Sequence, residues 1–243
     1  MMQTPFLSAE WRHLVMLNYE VDRHVLQPMV PQGTELNSFG GRTFLSVVGF
    51  RFLHTRVFGI PFPLHTDFEE VNLRFYVRRK SGEGWRRGVV FIRELVPRRA
   101  IAVIARAFYG EPYSALPMRH SIDLSASGVR VEYGWRRLNR WESLHATGTG
   151  QPQPIENGSE EEFITEHYWG YTARKTGTSE YQVEHPRWRV WRSVEAGLDA
   201  DLPTLYGARF VECLSARPTS TFIADGSPVI VRRKSVLSDV ANT

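Results

Sequence analysis

The run Phe68-Glu69-Glu70-Val71-Asn72-Leu73-Arg74-Phe75-Tyr76-Val77 alternates with a period of two, which fits a β-strand and not a helix. One face carries Val71, Leu73, Phe75 and Val77. The other presents Glu70, Asn72 and Arg74 in a row, flanked by Phe68 and Tyr76. A carboxylate, an amide and a guanidinium between aromatics suit the wall of a small polar pocket. The same pattern also fits a solvated outer face on which Glu70 and Arg74 balance charge.

Turn signals on both sides extend the strand pattern. Ser81-Gly82-Glu83-Gly84 separates Phe68–Arg79 from Trp85–Val96 as a hairpin, and Gly40-Gly41 precedes a strand over Thr43–Phe50. A strand is expected over Trp11–Val21, followed by a short helix over Arg23–Val30 that Asp22 caps and Pro31 stops. Residues 55–66, with Gly59, Pro61 and Pro63, read as a loop. Arg98–Phe108 is the clearest helix: Pro97 precedes it, Ile101, Ile104, Ala105 and Phe108 share a face, and Gly110 follows. Strands resume from Ser121, with a turn at Ser127-Gly128 before Val129–Leu138 and a partner over Trp141–Thr147. The stretch 148–158 is a connection, and the acidic residues Glu160, Glu161 and Glu162 open a short helix. Tyr181–Ser193, Tyr206–Ala216 and Thr219–Arg233 read as strands broken by prolines. The whole implies one mainly β domain over residues 1–243, with 1–8 and 236–243 as loose ends.

Composition limits the function classes. With 42% apolar and 23% charged residues the chain has enough apolar side chain for a sizeable core. No signal region and no run near the roughly 18 apolar residues of a bilayer crossing is present, so a cytoplasmic protein is expected. The pI of 9.4 raises the question of nucleic acid, yet the net charge is only +4. The basic residues are mostly arginines in scattered pairs such as Arg86-Arg87, Arg98-Arg99 and Arg136-Arg137, which argues against a nucleic-acid groove. The lone Cys213, in Val-Glu-Cys-Leu, reads as strand packing.

Several segments together resemble the YqjF-like family of uncharacterised conserved bacterial proteins, which is similar in fold to acetoacetate decarboxylase. They include Val47-Val48-Gly49-Phe50, Gly59-Ile60-Pro61-Phe62-Pro63, the Phe68–Val77 strand and Gly88-Val89-Val90-Phe91. Ala105–Tyr113, Glu161–Tyr168, His185-Pro186-Arg187-Trp188 and Ala224–Val229 match as well. The resemblance implies a mainly β (α+β) fold: a curved antiparallel β-barrel or cone with a few short flanking helices and a pocket inside. In the decarboxylases a Gly-Phe-Pro-Lys-Lys stretch supplies a lysine that forms a Schiff base with a keto acid. The matching stretch here is Gly110-Glu111-Pro112-Tyr113-Ser114, so Tyr113 stands at the lysine position. A phenol forms no imine, and Lys80, Lys175 and Lys234 all lie in other segments. What the resemblance carries over is a cavity, with Glu70 as its carboxylate and Arg74 and Tyr113 as binders of an anion or carbonyl.

The candidate catalytic residues are therefore Glu70 and Tyr113, the latter at the pocket mouth as hydrogen-bond donor or general acid. The candidate ligand-binding residues are Asn72, Arg74, Arg106, His185 and Trp188. For His185 a packed histidine at a strand bend competes with a binding role, and for Tyr113 local packing beneath the helix end does. No cofactor or metal is expected. The eight histidines have no paired spacing, and His65-x-Asp67 supplies only two ligands. No nucleophile elbow or phosphate-binding loop is present. The partner expected is a small organic acid or carbonyl compound, with a homo-oligomer left open. Binding without turnover, a lyase or isomerase using Glu70 as acid or base, and a charge-driven interaction protein are the three readings.

Overall fold

The strand that holds Asn72 is one of four that each run 13 or 14 residues, long enough to curve around a lumen. The computed structural model describes residues 5–61, 65–103 and 110–237. In chain order the strands begin with β1 (Leu7–Glu20), β2 (Glu35–Leu36), β3 (Phe44–Val57), β4 (Ile60–Pro61), β5 (Phe68–Ser81) and β6 (Gly84–Val96). Next come β7 (Tyr113–Ala115), β8 (Met118–Ser125), β9 (Gly128–Arg137), β10 (Arg140–Thr149) and β11 (Gln153–Pro154). The set closes with β12 (Trp169–Ala173), β13 (Thr178–Glu184), β14 (Arg189–Asp199), β15 (Ser220–Val231) and β16 (Ser235–Leu237). Among the described residues five α-helical stretches flank them: α1 (Arg23–Leu26), α2 over residues 99–103, α3 (Glu160–Thr165), α4 (Leu202–Tyr206) and α5 (Val211–Ser215).

Neighbouring strands follow the order β13-β12-β6-β5-β3-β1-β15, and β15 then pairs with β13 through Val183↔Val231 and Glu184↔Ile230. The pairing path thus returns on itself, and a curved sheet encloses a lumen. All its pairs are antiparallel except β6–β12. Curvature is introduced where the ladder slips. β1 loses register between Arg12 and Val15, with His13 at φ 54°, and the β5–β6 pair slips between Leu73 and Arg74.

Both faces of the ring strands are covered, which explains their nearly continuous apolar sequence. Val15, Leu17, Val47, Val71, Leu73 and Phe75 face outward, into a core shared with Tyr133 and Trp135 of β9, Leu144 of β10 and the α4–α5 segment. Leu14, Met16, Val48, Phe50, Phe52, Phe68 and Tyr76 belong to the second core, on the inner side. Gly49 permits the outer layer to come close, since a Cβ there would lie 2.7 Å from the Tyr133 ring and 2.9 Å from Leu144.

Several sequence expectations change. Tyr206–Ala216 is helical, not a strand: Asp201 accepts a hydrogen bond from the Thr204 amide to cap α4, a 3-10 turn covers Ala208–Phe210, and α5 follows. Tyr206, Phe210 and Leu214 recur every four residues and share the buried side, a helical spacing hidden among β-branched and aromatic residues. Cys213 therefore packs from a helix, half-buried, with its Sγ donating to the Phe210 carbonyl. The loop expected from residue 55 begins later, because β3 continues to Val57 and pairs with β4. The helix expected over 98–108 is seen over 99–103, and its second half lies outside the described residues. Leu7 and Ser8 belong to β1, and Val236 and Leu237 to β16, so paired strand reaches into both segments expected to be loose.

Candidate functional site

The lumen holds a cavity of about 90 Å³ to which all seven ring strands contribute. At about 10–15 Å³ per water-sized group it admits a ligand of roughly six non-hydrogen atoms. One side is aromatic and apolar, with Trp11, Phe50, Phe52, Phe91 and Trp188. The other is polar. Alternation along β5 sends Glu70, Asn72 and Arg74 inward, and Glu70 is 3% and Asn72 2% exposed. The solvated-face alternative for this strand is thereby overturned.

Tyr113 reaches the same wall from β7, which pairs in parallel with β6 so that Glu94 and Tyr113 are neighbours. Its hydroxyl donates to Glu70 Oε2 at 3.3 Å, and Asn72 Nδ2 donates to Glu70 Oε1 at 3.0 Å. Tyr113 is half-buried, with its hydroxyl against the Glu70 carboxyl. Burial and the surrounding Glu70, Glu94 and Glu111 push its phenol well above the ordinary value, so it acts as a donor and not as a base.

Two further glutamates line the cavity that sequence reasoning did not single out. Glu94 is 1% exposed and Glu111 5% exposed, and Tyr181 donates to Glu111 Oε1 at 2.6 Å. Burial raises the Glu70 carboxyl to about 7, against the pull of Asn72, Tyr113 and Arg74. Burial, with Glu70 adding to it, raises Glu111 to about 8, although Tyr181 and Lys234 act the other way. Glu94 is pushed well above the usual carboxylate range by burial and then by the charges of Glu111 and Glu70. Near neutral pH Glu94 and Glu111 are therefore mainly protonated, while Glu70 is close to its own titration point. Arg74 supplies the countervailing charge: no carboxylate among the described residues lies within ion-pair distance of it, and its Nε is buried without a hydrogen-bond partner.

His185 and Trp188 form the remaining expected contacts, stacked at 4.2 Å and 15° on the apolar side. Burial lowers the His185 pKa, and its Nδ1 lies 2.9 Å from the Pro186 carbonyl. His167, also missed from sequence, lines the cavity as a neutral imidazole whose Nε2 lies 3.0 Å from Asn37 Nδ2. Arg106 lies outside the described residues. None of Lys80, Lys175 and Lys234 lines the cavity, although the charge of Lys234 reaches Glu111. Among the described residues no group of three His, Cys, Asp or Glu side chains is arranged to hold a metal ion. His65 and Asp67 build no such site, and Asp67 accepts from the His54 amide instead. No described helix is long and apolar enough to cross a membrane.

A ring of strands around a cavity of this kind defines the class: the chain has the acetoacetate decarboxylase-like fold. It is similar to acetoacetate decarboxylase from Legionella pneumophila, with a TM-score of 0.65 and 14% identity over 98% of this chain and 91% of that one. Enduracididine biosynthesis enzyme MppR complexed with pyruvate superposes with a TM-score of 0.66, at 12% identity over 99% and 93% of the two chains. An acetoacetate decarboxylase-like enzyme from Sphingomonas wittichii RW1 gives 0.66 at 14% identity over 97% and 95%. Within that fold, residues 8–228 match the DUF2071 family, described as an uncharacterised conserved protein, and the chain belongs to that family. Its relative YqjF of Bacillus subtilis (strain 168), also described as uncharacterised, is 26% identical over 202 residues, 82% of this chain and 80% of that protein.

Proposed function

We propose that the cavity binds a small organic acid or carbonyl compound, its carboxylate on Arg74 and its second oxygen facing Glu70 and Tyr113. The observation that carries this reading is the Arg74 guanidinium, which faces the lumen without a carboxylate partner among the described residues. Three glutamates nearby look hostile to an anion. Their raised pKa values remove the objection, since protonated carboxyls donate hydrogen bonds and carry no charge. The cavity volume suits an acid of three or four carbons, and MppR of the same fold was solved with pyruvate.

Titration calorimetry with pyruvate and 2-oxobutyrate tests the reading. Saturable binding is expected, weakened at least about tenfold by Arg74→Ala. Affinity should fall as pH rises through about 7 to 8, because ionising Glu70 and Glu111 adds negative charge around the ligand carboxylate. Binding indifferent to Arg74 and to pH would sink it.

A lyase or isomerase reading is favoured by one observation, the burial of Glu70 in the cavity wall, which raises its carboxyl to about 7, where a group exchanges protons most effectively at neutral pH. On that reading Glu70→Gln keeps ligand affinity and abolishes turnover. No imine is involved: borohydride with pyruvate should leave Lys80, Lys175 and Lys234 unmodified by mass spectrometry.

A further inference from the structure

The unpaired polar atoms of the cavity point to a narrower class of ligand, an inference that rests on the organic-acid reading. Asn72, Glu94 and Tyr113 form one row across β5, β6 and β7, through the pairs Asn72↔Glu94 and Glu94↔Tyr113. Glu70 binds both ends of the row, accepting from Asn72 Nδ2 and from the Tyr113 hydroxyl. With its amide nitrogen engaged, Asn72 presents Oδ1. That oxygen and Glu94 Oε2 are buried and have no hydrogen-bond partner among the described residues, on side chains 2% and 1% exposed. Asn72 Oδ1 is an acceptor, and Glu94 Oε2 is one once that carboxyl is ionised, the state a bound cation favours.

An unpaired buried acceptor is costly, so a ligand that fits this wall brings donors to it. An oxo acid brings none, because its carbonyl and carboxylate oxygens are acceptors too. A hydroxyl brings one. An ammonium brings three, and as a cation it also relieves the mutual repulsion of Glu70, Glu94 and Glu111. Arg74 stands two residues from Asn72 on the same face, about 7 Å along the strand, within the reach of one small molecule that bears both charges.

We propose that the cavity takes a short zwitterionic amino acid, its ammonium seated on Asn72 Oδ1, Glu94 and Glu70 and its carboxylate on Arg74. The aliphatic part then lies against Trp11, Phe50 and Trp188. Seating the cation favours the ionised carboxylate, so a proton leaves the Glu70–Glu94–Glu111 cluster for the buffer as the ligand binds. An oxo acid has the opposite effect, since an added anion makes the cluster hold its protons more tightly. The other charged or titratable groups facing this cluster are Arg74, Tyr113, His167, Tyr181 and His185 from the lining and Lys234 beside Glu111, and none of these is the group displaced.

Calorimetry with two matched series, pyruvate, lactate and alanine, then 2-oxobutyrate, 2-hydroxybutyrate and 2-aminobutyrate, provides the test at pH 7.5. Phosphate and Tris buffers, which differ in ionisation enthalpy, report the protons exchanged. The amino member of each series should bind at least about tenfold more tightly than its oxo and hydroxy counterparts and release protons, while the oxo member takes them up. Glu94→Gln should reduce that preference to about twofold or less. Asn72→Ala, a smaller perturbation, should weaken the amino member selectively if the first variant fails to fold. Equal or tighter binding of the oxo or hydroxy acid, or a preference that survives both variants, overturns the proposal and leaves the organic-acid reading standing. Failure of every member to bind the folded protein overturns both.

Discussion

Tyr181 reaches Glu111 only because residue 170 has no side chain. A Cβ on Gly170 would lie 2.2 Å from Cζ of the Tyr181 ring, so the phenol lies across bare backbone to donate at 2.6 Å. Gly170→Ala should displace the ring, break that bond and destabilise the protein by about 2–3 kcal/mol, read from urea unfolding. An unchanged midpoint would show that Tyr181 has another way to reach its partner. Single residues are also where the sequence was least legible. Strict alternation along β6 from Val89 and Phe91 sends Arg93 inward and Glu94 outward. The slip opposite Leu73 and Arg74 inverts this: Glu94 faces the cavity, and Arg93 donates to the Leu205 carbonyl and Ser114 Oγ. A one-residue irregularity leaves no signature in composition. Glu111 was hidden differently, since its burial depends on β13, some seventy residues further along. An isolated acid within Phe91–Val96 is the one local signal that could have drawn attention to Glu94.

At the scale of elements, strands bounded by glycine turns were readable because the turn chemistry and the period of two agree. β5 and β6 emerge almost residue for residue, and the Asp22 cap of α1 and the acidic first turn of α3 follow from local interactions. The polar row of β5 was legible as a row. Whether it met solvent or a lumen depended on strands remote in sequence, and only the resemblance to a known fold pointed inward. The α4–α5 segment misled because Val, Phe, Tyr and Cys favour strands, while its spacing and the side it buries are helical. Its helical face makes a direct prediction. Leu214→Ala should cost about 2–4 kcal/mol, since Leu214 is buried against the outer core, whereas Glu212→Ala should change stability by less than about 0.5 kcal/mol. Comparable losses for both would contradict the helical assignment.

At the scale of the molecule, the buried carboxyls and histidines set opposing pH dependences. Glu70, Glu94 and Glu111 have raised pKa values, so the folded state holds more protons than the unfolded one above pH 4.5. Their contribution is lost as pH rises through about 7 for Glu70 and about 8 for Glu111. His13, His167 and His185 are depressed, and their contribution is lost as pH falls below 6.5. The two sets oppose each other between pH 4.5 and 6.5, and above that only the carboxyls act. Unfolding free energy should therefore drop by at least about 2–3 kcal/mol between about pH 6.5 and 8.5, and Glu94→Gln should flatten the slope. A urea midpoint that holds or rises over that interval would contradict the assignment. The closure of the ring has a kinetic consequence as well. β1 and β15 pair residues at least 202 positions apart, the separation of Asn18 and Ser220, which are also joined by a side-chain hydrogen bond. Such remote pairing makes folding slow, and the lumen has no complete wall until β15 has docked between β1 and β13. A ligand that needs the finished wall arrives after the rate-limiting step, so it should lengthen the lifetime of the folded state and leave the speed of reaching it unchanged.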